Sequence, residues 1–382
     1  MNKRIMSLFV CSVMLTYGVP AAFAQGNSAI LQQEQTAQTQ ETKVYTLSLE
    51  DAIKMAREKD PAFISADVKI ADAERQLKQA RTNKKDLEGI PIKISQGLTS
   101  FALQRGYFIK QAEIGVESAK MEKDKAIANS AYSVTQQYYG VKLSERVLQS
   151  AKNGLEMAES NLETIKMQFS LGLVAELDVN NAKLAVKKAQ AAFNKYERSL
   201  DLARKALAVK LFIDEEDFLL NLTDDIEYTE FETQLDNDIQ KAMENRYDVF
   251  MLESALSQAE FMADIADLYG ISSAEYSSAN QAKVQSEVTC QNSKKMIGVS
   301  ITSSYNSILD AKDALDVAEA ALALKRQEYN IASIEHQLGL MTNIQLTGVM
   351  NGVTAAEIEL ENAKLTYKLA VEKYGYEIEI GL

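Results

Sequence analysis

Few of the side chains that usually carry enzyme chemistry are present. The sequence has one histidine, His336, and two cysteines, Cys11 and Cys290. A nucleophile–histidine–acid triad needs that histidine beside a serine and an acid, and an imidazole metal centre needs several such rings. His336 instead fills a slot in an apolar repeat that Phe169 fills 167 residues earlier, so it reads as a packed seam residue near a turn. Asp214-Glu215-Glu216-Asp217 lacks the spaced oxygen ligands and turn glycine of a calcium loop, and reads as a solvated acidic linker. The Tyr138-Tyr139 pair and the scattered methionines sit at helical spacing and read as packing. Glycine motifs that cradle phosphate are absent. The expectation is no catalytic residue, no cofactor, no metal and no enzyme activity.

The elements around these residues are helical. Gly and Pro make up 19 of 382 residues and Trp is absent, whereas sandwiches, barrels and doubly wound sheets need many turn residues. A formal charge of −13 argues against a nucleic-acid binder, which needs clustered Lys and Arg in excess over acids. Residues 1–24 read as a secretory signal: Lys3 and Arg4, an apolar run from Ile5 to Thr16, then Ala22-Phe23-Ala24 before Gln25. Residues 25–46 read as a disordered leader rich in Gln, Thr and Ser. Of the cysteines only Cys290 follows the signal, so stability must come from packing without an intramolecular disulfide.

Between 134 and 169 apolar residues recur every seven: Val134, Val141, Leu148, Leu155, Leu162 and Phe169, with Gln137, Ser144, Ala151, Ala158 and Ile165 three positions after the first five. After a break at Ser170–Glu176 the period resumes at Val179, Val186, Phe193, Leu200 and Leu207. Such a heptad marks a coiled-coil seam. Adding 167 reproduces it as Ile301, Ile308, Leu315, Leu322, Tyr329 and His336, then Leu346, Val353, Leu360, Tyr367 and Tyr374. Leu171-Gly172-Leu173 likewise recurs as Leu338-Gly339-Leu340. The chain is therefore a duplication: a first repeat at 47–212, an acidic linker at 213–230 and a second repeat at 231–382. Each hairpin has a two-helix preface. Ser48 caps the first with Asp51 reaching back, and Pro61 ends or bends it. Ile127–Phe169 alone spans about 65 Å as helix, and a hairpin of that length leaves apolar faces unmatched, so self-association is expected.

These features resemble the TolC-like outer-membrane efflux family. They are the signal, the opening Leu47-Ser48-Leu49-Glu50-Asp51-Ala52-Ile53 with Asp60-Pro61, the two repeats, and the turn running from Phe169 through Leu171-Gly172-Leu173-Val174-Ala175 to Val179. The resemblance implies a homotrimer whose twelve long helices form a tapering hollow cylinder in the cell envelope. It also implies that the hairpin tips dock a periplasmic adaptor protein serving an inner-membrane pump. By matched position the tips are Gly172, Leu173, Val174 and Ala175, and Gly339, Leu340, Met341 and Thr342. Leu173 and Leu340 read either as partner-facing or as caps on the interhelical core. Asp178 reads as a helix N-terminal charge or as a member of a gating network.

Two departures from the family pattern stand out. Family members insert two membrane strands per repeat between preface and hairpin, and a membrane strand needs roughly 9–11 alternating residues. Only Ile90, Ile92 and Ile94 alternate in the first copy, broken by Pro91, and residues 270–298 offer no strand pair. The fold class is thus all-α, duplicated antiparallel coiled-coil hairpins with the transmembrane strands reduced or absent. Where aspartates would ring the narrow end, the second copy has Gln345 and Gly348. The alternative function is a non-conducting scaffold of the envelope.

Overall fold

The computed structural model describes residues 43–87, 89, 97–214, 218–268, 270 and 273–381. The signal segment, the leader up to residue 42, and the Ile90, Ile92 and Ile94 alternation lie outside the described residues. The elements run β1 (Lys43–Leu47), α1 (Leu49–Lys59), α2 (Pro61–Asp86), α3 (Gly97–Arg105), α4 (Tyr107–Ser170), α5 (Glu176–Lys210), β2 (Phe218–Leu222), α6 (Leu235–Asn245), α7 (Tyr247–Leu268), α8 (Ser273–Gln337) and α9 (Asn343–Glu379). The fold is all-α with two antiparallel hairpins, α4–α5 and α8–α9, and the described strands close no barrel.

Local chemistry sets the element ends. Ser48 Oγ accepts from the Asp51 amide while Asp51 Oδ2 accepts from the Ser48 amide, the reciprocal cap that starts α1. The Ser48 hydroxyl and amide hold the Asp51 carboxyl below its ordinary range. Asp60 ends α1 and caps α2, with Pro61 in the first helical position, where a missing amide hydrogen costs nothing. The long arms exceed the seam. α4 has 64 residues, about 96 Å at 1.5 Å per residue, and α8 has 65, because 107–126 and 273–300 continue the two arms as helix.

α4 packs on α5 and α9, and α9 on α8, giving the row α5–α4–α9–α8 with α5 and α8 at its two sides. The seam predictions hold for Val134, Val141, Leu200, Leu207, Ile301, Ile308 and Leu315, all buried. In α4 burial then passes to the companion row at Ala151, Ala158 and Ile165, and Phe169 is exposed. A helix of 3.6 residues per turn drifts across a strict seven, so one row cannot face one neighbour over the whole arm.

Each repeat has its own core. One gathers Ala52, Val134, Tyr138, Leu207 and Leu365; the other gathers Ala242, Ile301, Leu315, Tyr367 and Tyr374. Two stretches differ from the sequence reading. Residues 43–46, assigned above to the disordered leader, pair in parallel with β2 over Lys43–Leu47. The stretch assigned to a solvated linker buries Leu220, Leu222 and Ile226. Its acids serve as acceptors: Asp224 Oδ2 takes the Leu49 amide at 2.8 Å, and Asp225 pairs with Arg146. Tyr138 ties both strands down, donating to Leu47 O at 3.0 Å and accepting from the Asp224 amide at 2.9 Å. A pairing between segments 175 residues apart leaves no local trace in either.

Candidate functional site

The two hairpin turns share one geometry. Gly172 and Gly339 have φ of +76° and +73°, the left-handed conformation that glycine adopts without steric cost. In the first, Leu173 N donates to Gln168 O and Gly172 N to Phe169 O, both at 2.9 Å. In the second, Leu340 N donates to Glu335 O at 2.8 Å and Gly339 N to His336 O at 3.0 Å. These are paired Schellman closures, which satisfy the last carbonyls of α4 and α8. Asn161 Nδ2 donates to Thr347 Oγ1 at 3.3 Å across α4 and α9, so both turns lie at the same end of the row.

The arms that follow are capped at equivalent positions. Asp178 Oδ2 accepts from the Ala175 amide at 3.0 Å, and Gln345 Oε1 accepts from the Thr342 amide at 2.9 Å. Thr342 Oγ1 in turn accepts from the Gln345 amide, whereas Ala175 has no side-chain acceptor to offer. Asp178 thus makes the capping contact. His336 is half-buried, and its Nε2 lies 2.5 Å from Asn343 Oδ1, joining the end of α8 to the start of α9.

The structure sorts the eight tip residues. Leu173 and Leu340 stand 71% and 77% exposed, and Gly172, Ala175, Gly339 and Thr342 are exposed as well. Val174 turns inward against Ile165, Val179 and Ala182. Met341 is half-buried. Sequence reasoning missed Leu171, Leu177, Leu338 and Ile344, which are exposed beside the tips. Their signal was available: each is apolar yet falls off the heptad seam. The surface is nearly uncharged, for residues 337–356 contain no Asp, Glu, Lys or Arg and residues 167–182 contain only Glu176 and Asp178. Behind the tips α4, α5 and α9 splay around a cleft of about 390 Å³, lined by Asn161, Asn181, Asn343 and Asn351 with Lys188.

Residues 104–211 match the family described as Outer membrane efflux protein. That segment holds the first hairpin whole, including Gly172 and Asp178. No curated protein matches the chain. Among solved structures it is similar to the Campylobacter jejuni CmeC outer membrane channel, at 12% identity over 87% of this chain and 85% of that one, with a TM-score of 0.65. The open state of the Neisseria gonorrhoeae MtrE outer membrane channel gives 15% identity, 87% and 89% coverage and a TM-score of 0.67. The outer membrane protein VceC of Vibrio cholerae gives 14%, 85% and 95%, and 0.65. The resemblance to the TolC-like efflux family therefore holds in a sequence segment and in the fold of nearly the whole chain.

Proposed function

We propose that the chain is the conduit component of an efflux or export system in the cell envelope, exported by its N-terminal signal and assembled as a homotrimer. Its hairpin tips dock a periplasmic-type adaptor protein, which connects the conduit to an inner-membrane pump. The observation that carries this reading is the pair of identically closed turns at one end. They hold Leu173 and Leu340 in solvent on a surface with almost no charge. Exposed apolar groups on a rigid turn, uncovered by their own chain, suit a protein partner. The free sides of α5 and α8 support assembly from several copies, since Leu184 and Leu202 on one and Val317 and Leu324 on the other are exposed.

A non-conducting envelope scaffold is the second reading, favoured by the want of a barrel among the described residues. Substituting Gly172 and Gly339 by Val tests the tips. We expect loss of adaptor capture with helical circular dichroism unchanged, and undiminished capture would sink the docking role. Solute accumulation in cells lacking the protein separates the two readings. A conduit's loss raises retention of exported solutes, while a scaffold's loss leaves retention unaltered.

A further inference from the structure

At the end of α4 remote from the tips, α2, α3 and α4 enclose an open groove of about 1160 Å³. Ion pairs hold its two long walls together: Arg81 Nη2 donates to Glu113 Oε1 at 2.9 Å and Lys69 Nζ to Glu122 Oε2 at 3.3 Å, each from α2 to α4. α3 closes one end, because Phe101 and Ala102 pack with Ile265 of α7 and leave Thr99 and Leu103 to the groove. The floor is Ala73, Ala80, Ala112 and Gly115. Side chains this small leave depth unfilled, and a Cβ added at Gly115 would meet nothing within 4 Å.

The walls are polar without net charge. Asp72 and Arg75 pair with each other, and the other polar lining groups, Gln76, Gln79, Asn83, Thr99 and Gln111, are neutral. The four amide side chains are exposed and hydrogen-bond to no other described residue. Gln76, Gln79 and Asn83 recur at i, i+3 and i+7, so they form a row on one face of α2 about 10 Å long at 1.5 Å per residue, with Gln111 on α4 across from them. Phe108 is half-buried in the same wall as Gln111.

Each carboxamide offers two donors and an acceptor from one planar group. A row of them matches a ligand that presents donors and acceptors in turn and carries no charge, and an aromatic ring beside the row suits the C–H face of a sugar. A nucleic acid would need unpaired cations here, and an amphipathic helix would need an apolar wall. The volume exceeds the roughly 300–1,000 Å³ of small-molecule pockets, and the groove is open, so it fits a segment of polymer. We propose that this groove binds a segment of an uncharged glycan built from N-acetylated sugars, whose acetamido groups pair with the Gln79 and Gln111 amides while a sugar face stacks on Phe108. This rests on the envelope location in the reading above and not on conduction. It gives the end remote from the tips a polysaccharide partner.

Calorimetric titration of the full chain with a linear hexamer of N-acetylglucosamine tests the groove. We expect saturable binding that persists from about 0.1 M to about 1 M NaCl, because no net charge is there to be screened. Gln79→Ala with Gln111→Ala should weaken it about tenfold, as loss of two hydrogen bonds would. Ala80→Leu with Ala112→Leu fills the floor and should abolish binding with helical circular dichroism unchanged. No binding by the wild-type chain, or equal affinity in the Gln79→Ala, Gln111→Ala variant, overturns the site. A glucose hexamer that binds as tightly overturns the acetamido pairing, and an uncharged extended peptide that binds in place of the sugar overturns the glycan. Failure of every sugar leaves the conduit reading standing, since solute retention in cells lacking the protein decides that reading separately.

Discussion

Gly172 and Gly339 each combine a positive φ with open space, since an added Cβ at either would meet nothing within 4 Å. A side chain there is opposed by the backbone alone, by about 1–2 kcal/mol per site, so the valine variants should stay folded and report on docking rather than on collapse. Glu372 poses the reverse case. Burial raises its carboxyl above the ordinary 4.5, with Lys368 only partly offsetting it. A carboxyl raised in the folded state destabilises when ionised, and that penalty is relieved as pH falls through the folded value. Glu372→Gln should therefore melt higher than wild type at pH 7, with the difference shrinking as pH falls toward 4.5; a difference constant from pH 7 to pH 4 would refute the assignment. Asp248 has the opposite sign. Burial works to raise its carboxyl, but the Arg246 guanidinium, at 2.9 and 2.8 Å, holds it below 3.8. Its contribution is present above 3.8 and is lost as pH falls through the folded value.

Among the elements, the starts of α5 and α9 differ by one oxygen. Thr342 and Gln345 complete a reciprocal cap, while Ala175 leaves Asp178 to make only half of one. Thr342→Ala should cost about 1 kcal/mol in urea unfolding, and Ala175→Ser should gain a similar amount, as single N-cap replacements generally do. Unchanged urea midpoints for both variants would mean that the caps do not govern these arms. The starts of α1 and α2 were legible in the sequence because capping and proline signals act within four residues. The start of α4 was not legible. The sequence reading begins the arm at Ile127, yet the helix begins at Tyr107, held by the Tyr107 ring against Phe261 and by Lys110 Nζ on Ser257 Oγ at 2.6 Å. Both partners lie on α7, some 150 residues away.

Across the whole molecule, two cores meet where α9 of the second repeat places Leu365 in the core of the first. Leu365→Ala should cost about 2–5 kcal/mol and shift the unfolding of both repeats together, as followed by tyrosine signals from each; separate transitions would show that the halves are uncoupled. Lys125 adds a second tie, its Nζ on α4 of the first repeat donating to Gly381 O just after α9 of the second at 2.7 Å. Periodicity and glycine placement determined the heptad stretches of the hairpin arms, the duplication and the turns, because a seam every seven residues and a glycine at a helix end are written locally. Only the tertiary structure decided that α4 lies against α9, that β1 pairs with β2, and that α5 and α8 stand at the two sides of the row. Those choices depend on which surfaces meet across 150 residues or more, and chain-distant contacts of that kind are set by the packing of whole faces rather than by any short run of residues.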